Sequence, residues 1–135
     1  MRKSLIILTL FAFAFAGYAQ EVQVKTGPVI KFDETILDFG TITQGDTVEH
    51  TFVFQNMGTE PLRILSARGS CGCTVPKYST DEVRPGAKGE VFVRFRSAGK
   101  MGKQNKTVTL VTNAAVNNRV ILTLRGTIQR KDTDD

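Results

Sequence analysis

Between Val29 and Ile128 the apolar residues return at every second position in run after run, and that period restricts what the chain can build. A repeat of two puts alternate side chains on opposite faces of an extended strand, whereas a helix needs a repeat near 3.6. The clearest run holds Val48, Phe52 and Phe54 on one face and Glu49, Thr51 and Gln55 on the other, which is a sheet with one wet side. Ile30 with Phe32, Ile36 to Phe39, Leu62 with Ile64 and Ser66, Val91 to Phe95, Val108 with Leu110, and Val120 to Leu124 repeat the pattern. Gly40, Gln44-Gly45-Asp46, Asn56-Met57-Gly58, Glu60-Pro61 and Pro85-Gly86 punctuate them, Gly99 and Gly102 mark a loop, and Asn117-Asn118 reads as a tight hairpin. No helical stripe is visible after the N-terminal segment. About seven strands with no helices to cover them must bury their apolar faces against one another. The expected architecture is therefore an all-β, antiparallel two-sheet sandwich, with a closed barrel as the alternative.

The N-terminus reads as an export signal. Arg2 and Lys3 precede an apolar run from Leu5 to Ala16, twelve residues where a membrane-spanning helix needs roughly 20. Gly17 and Ala19 flank Tyr18 in the small-residue pattern of a cleavage site, so the expectation is a cut after Ala19 and a mature start at Gln20. Residues 1–19 are then a cleaved signal, 20–28 an N-terminal extension, 29–129 the folded domain and 130–135 a disordered charged tail. The expected compartment is periplasmic or secreted, with no integral membrane segment after cleavage.

Without Arg2 and Lys3 the chain carries sixteen Lys and Arg against thirteen Asp and Glu, a net charge of about +3, too little to mark a nucleic-acid binder. Five cations with no acid among them (Arg94, Arg96, Lys100, Lys103, Lys106) read as a solvated hairpin whose charges blunt a sheet edge. Six phenylalanines lie outside the signal to fill a core, and the absence of Trp rules out the antibody type of Cys, Trp, Cys interior. Asn105-Lys106-Thr107 matches a glycosylation sequon and is read as part of a loop without function.

Ser70-Cys71-Gly72-Cys73-Thr74 is the constellation with chemical character. Two cysteines in an oxidising compartment point to a disulfide, yet residues two apart on an extended chain lie roughly 6 to 7 Å apart at Cα, so closure needs a bend at Gly72. A ring that small removes little unfolded-state entropy, and a labile, redox-active pair is one reading. Paired thiolates also suit Cu(I) or Zn(II), but zinc wants four ligands and His50 is the only histidine in the chain. On the strand pattern His50 shares a face with Phe52 and reads as a satisfied, half-buried side chain. The third reading is structural: the cysteines pack as small apolar groups while Gly72 adopts a conformation denied to larger residues.

Phe39-Gly40, Asn56-Met57-Gly58-Thr59-Glu60-Pro61-Leu62, Ser70-Cys71-Gly72-Cys73-Thr74-Val75-Pro76, Pro85-Gly86, Gly99-Lys100, Thr112-Asn113 and Leu124-Arg125-Gly126 together resemble the bacterial Cys-Gly-Cys-Thr proteins of domain-of-unknown-function family 1573. The likeness runs over nearly the whole chain after the signal. It implies an immunoglobulin-like sandwich of the Hydin, ASPM and major-sperm-protein type in an exported protein of Bacteroidetes-like bacteria, and it implies no reaction.

The chain lacks a recognisable Ser-His-Asp spacing, a Gly-rich phosphate cradle and paired carboxylates, so no catalytic or cofactor-binding residues are assigned. The expected function is a non-catalytic interaction or structural module of the cell envelope that lends an edge strand or end loop to a protein partner. The alternative is a periplasmic thiol protein, a redox carrier or soft-metal binder, using Cys71 and Cys73.

Overall fold

A computed structural model describes residues 26–132. The expected signal peptide and cleavage site, the first part of the N-terminal extension and the last three residues of the charged tail lie outside the described residues. Eight strands follow one another: β1 (Ile30–Phe32), β2 (Ile36–Thr43), β3 (Thr47–Asn56), β4 (Ile64–Gly69), β5 (Thr74–Tyr78), β6 (Lys88–Arg96), β7 (Gly102–Thr112) and β8 (Arg119–Gln129). They form two four-stranded sheets, ordered β1-β3-β6-β5 and β2-β8-β7-β4.

The core lies between the sheets and is made by the alternation. Phe52, Phe54, Val91, Val93 and Phe95 enter from the first sheet, and Val108, Leu110, Leu122, Leu124 and Ile128 from the second, each at most 2% exposed. Burial of each stabilises by about 1.5 to 3 kcal/mol relative to exposure, and together these residues fix which face of β3, β6, β7 and β8 turns inward. Two close approaches depend on missing side chains: a Cβ on Gly89 would overlap the Phe54 ring, and one on Gly126 would overlap Phe39, whose ring stands 5.8 Å from that of Phe95.

The strand count exceeds the sequence reading by one, because β5 follows the cysteines where no strand is expected. β2 and β8 pair in parallel, while the other named pairings are antiparallel. The chain crosses from sheet to sheet between β1 and β2 and again between β4 and β5, so each flank of the sandwich is bounded by edge strands consecutive in sequence. β6 and β7 also lie in different sheets, so the run from Arg94 to Lys106 is a crossover and not a hairpin. Asn105 lies within β7 rather than in a loop.

Two further details depart from simple alternation. A register shift between Ile64 and Ser66 turns Leu65 and Ser66 outward and Ala67 toward the core, correcting the expectation that Ser66 faces in. β8 continues past Gly126 to Gln129. The β7–β8 connection is longer than the two-residue turn expected; Thr112 N–H closes it on the Asn118 carbonyl at 2.7 Å, and Asn117 takes a left-handed φ of 53° that asparagine tolerates.

A fully buried asparagine holds one end of the sandwich. The Asn56 side chain donates to the carbonyls of Glu60 (2.7 Å) and Val83 (2.9 Å) and accepts from Gly58 N–H (2.9 Å) and Val29 N–H (3.4 Å). Gly27 and Pro28 are buried against the same end, where Thr59 N–H donates to Gly27 and Ala115 N–H to Pro28. At the opposite end the buried Ser97 hydroxyl accepts from Gly45 N–H at 3.0 Å and donates to the Asp46 carbonyl. Both are buried polar groups whose hydrogen-bonding capacity is used, as burial requires.

Candidate functional site

β4 ends one sheet and β5 begins the other, so residues 70–73 carry the chain across the sandwich at the Ser97 end. Thr74 N–H donates to the Cys71 carbonyl at 3.2 Å and closes the turn. Within it Cys71 and Cys73 form a disulfide with their Cα atoms 5.3 Å apart, so the bend that spacing alone demands is present. Thr74 is 2% exposed, and its hydroxyl lies 3.6 Å from the Cys71 sulfur and 3.9 Å from the Cys73 sulfur. Cys73 packs against the core cluster, and Gly72 is exposed at the tip.

The expected reason for Gly72 does not hold. Its φ is outside the left-handed region, and a Cβ added there would meet nothing within 4 Å. The glycine that the geometry requires is Gly69, where a Cβ would overlap the Thr74 carbonyl oxygen. This is a backbone obstacle, fixed because β5 must pass close to the end of β4. With the sulfurs bonded to each other neither is a free thiolate, so a soft-metal site would need the reduced chain. His50 is not brought to them: β6 stands between its strand and β5. The His50 ring meets Phe52 edge-on at 4.7 Å, and its Nε2 lies 2.6 Å from Glu34 Oε1. Of the five-cation run, Arg94 pairs with Glu49 at 3.0 Å across the sheet.

Next to the turn lies a feature that the sequence does not announce. β4 is an edge strand, and the Ser70 N–H donates to the Thr107 carbonyl at 2.8 Å while Thr107 N–H donates back to the Ser70 hydroxyl at 3.1 Å. Antiparallel ladders alternate, so Arg68 also directs its backbone to β7, and the N–H and C=O of Ala67 and Gly69 point off the free side. Farther along, the same side is closed by reciprocal hydrogen bonds between Leu62 and Val83, at 2.9 and 2.7 Å. The open stretch is therefore Ile64 to Gly69, with Leu65 57% exposed at the bulge. A trough runs from this edge over the outer sheet face, lined by Ser66, Arg68, Ser70, Thr109, Val111 and Arg119. Among the described residues neither Arg68 nor Arg119 makes an ion pair. A second trough on the same face differs in this respect, because its Arg125 faces Asp38 at 3.7 Å.

The remaining edges are blunted. β1 has three residues, β5 carries Pro76 and Lys77, and β2 shifts register between Asp38 and Thr41.

Open sheets, sheet-to-sheet crossings and the inward packing of both layers define an immunoglobulin-like β-sandwich. The chain belongs to the family described as Protein of unknown function (DUF1573), whose profile matches residues 30–128. Among curated proteins none matches. Solved structures share the fold: a protein of unknown function from Porphyromonas gingivalis W83 aligns with a TM-score of 0.66 at 16% identity, covering 82% of this chain and 51% of that one. The chain thus spans about half the length of that protein. The ASH/PapD-like domain 7 of human CEP192 aligns at 0.57 with 13% identity, covering 76% and 87% of the two chains. The periplasmic chaperone SfaE aligns at 0.52 with 7% identity, covering 77% and 59%.

Proposed function

We propose that the protein is a non-catalytic binding module of the bacterial cell envelope, periplasmic or secreted, that recruits a partner protein by accepting a strand along the free side of β4. The observation that carries this reading is the unpaired backbone of that edge, where outward groups at Ala67 and Gly69 sit beside the exposed Leu65. Strand addition supplies main-chain hydrogen bonds for affinity and alternate side-chain contacts for specificity, so an edge of this kind needs no pocket. The disulfide turn serves it by anchoring the end of β4 where the chain changes sheets. The signal-like N-terminus motivates the compartment.

A photo-reactive residue in place of Leu65 tests the edge, with one in place of Glu90, exposed on the outer face of the other sheet, as reference. In growing cells the position 65 protein gives a discrete cross-linked product and the position 90 protein does not. Equal labelling from both positions, or none from 65, rejects the proposal.

One observation favours a second reading: the disulfide lies in a turn whose tip is exposed. A thiol carrier would exchange this disulfide with small thiols while keeping its fold, and a Cys71→Ser, Cys73→Ser protein would lose that exchange. Sulfurs that stay bridged in millimolar thiol remove this alternative.

A further inference from the structure

We infer that the strand received by β4 is acidic, with a carboxylate side chain placed opposite Arg68; this deepens the edge-strand reading above and rests on it. Register and charge together select it. Arg68 lies in the middle of the regular part of β4, opposite Thr109, and its side chain is on the outer sheet face with those of Ser66 and Ser70. A strand added to the free side lies about 4.8 Å away, and its alternate side chains stand beside these three. A residue opposite Arg68 therefore meets a guanidinium that has no carboxylate partner among the described residues.

The neighbours point the same way. Ser66, Ser70 and Thr109 offer hydroxyl donors along the trough, and Arg119 adds a second unpaired cation beside Val111. Among the described residues no Asp or Glu lines the trough, and both of its charged groups, Arg68 and Arg119, attract an anion. Arg125 on the same face shows the contrast, because Asp38 already answers it. A basic strand would place like charges side by side, which cross-strand pairs disfavour. At the bulge the exposed Leu65 offers an apolar residue of the incoming strand a surface to cover. The inferred occupant is thus an extended segment with a carboxylate near its centre and an apolar residue toward the Leu65 end.

The test uses protein purified from the envelope of expressing cells, disulfide intact. Two synthetic probes are titrated: a ten-residue peptide alternating Val and Glu, and the same peptide with Lys for Glu. Two variants separate charge from edge. Arg68→Glu reverses the sign at an exposed position, and Ala67→Pro removes an outward N–H at a place where an edge strand tolerates proline. Circular dichroism checks that both variants fold.

The expected result is that the Glu peptide binds the wild type and the Lys peptide binds at least about tenfold more weakly. Arg68→Glu inverts that preference, and Ala67→Pro abolishes binding of both. If the two peptides bind alike and Arg68→Glu changes nothing while Ala67→Pro still blocks them, the acidic inference is overturned and the edge reading survives. If folded Ala67→Pro binds like the wild type, or neither peptide binds at millimolar concentration, the edge reading falls and the inference with it.

Discussion

Asn56 shows how much one polar side chain can hold when nothing of it reaches water. Its amide joins β3 to the segment after Met57, to the entry of β1 and to the chain before β6. Replacement by alanine leaves the Glu60 carbonyl and two N–H groups short of partners at a buried site, each worth about 1 to 3 kcal/mol if water cannot reach it, while the Val83 carbonyl keeps the Leu62 N–H. Partial access lowers the sum, so Asn56→Ala is expected to cost about 3 kcal/mol. For a domain of this size that is a fall in Tm of roughly 15 °C by calorimetry. Met57→Ala, one position on and 55% exposed, is expected to stay within about 0.5 kcal/mol. A Tm for Asn56→Ala equal to that of Met57→Ala would remove the asparagine from this role. In the sequence Asn56-Met57-Gly58 reads only as a turn, since Val29 and Val83, two of the partners that make Asn56 a hub, are remote along the chain.

Elements were legible wherever one face is apolar and the other polar, which covers seven of the eight strands. β5 hides for a physical reason: its Pro76 counts against a strand and its inward residues, Thr74, Pro76 and Tyr78, do not form an apolar series. The bulge in β4 likewise defeats a strict count of two, because an extra residue shifts every later side chain to the other face. The cysteine turn was half legible. Spacing demanded a bend and left the bond open, while the trough draws Arg68 and Arg119 together from strands far apart in sequence and gave no local signal. Gly69, just before the turn, and Gly72, at its tip, provide a sharp contrast at this scale. Gly69→Ala pushes a methyl group into the Thr74 carbonyl, and neither strand can yield, so a loss of about 2 to 3 kcal/mol is expected in urea unfolding. Gly72→Ala points into open space and is expected to change stability by no more than about 0.5 kcal/mol. The reverse order of the two would mean that β4 and β5 do not approach as described.

At the scale of the molecule the sandwich follows from the period of two, but the direction of β2 does not. A strand is recognised by its faces, whereas its direction relative to a neighbour depends on where the connecting chain travels. The crossing from β1 to β2 shifts the edge from one sheet to the other and sets β2 alongside β8, which comes last. Pairings of such separation carry a loop-closure cost that local contacts do not. Folding is expected on the millisecond-to-second scale, slow for a domain of this size, and stopped-flow refolding that finishes in microseconds would contradict it.

The parallel pairing of β2 with β8 also decides how the domain answers a pull. Tension applied to the two ends of the chain drags these neighbours lengthwise past each other, so their cross-links share the load instead of parting one by one like a zipper. A tether that must stay shut while its anchors are stretched is built in this way.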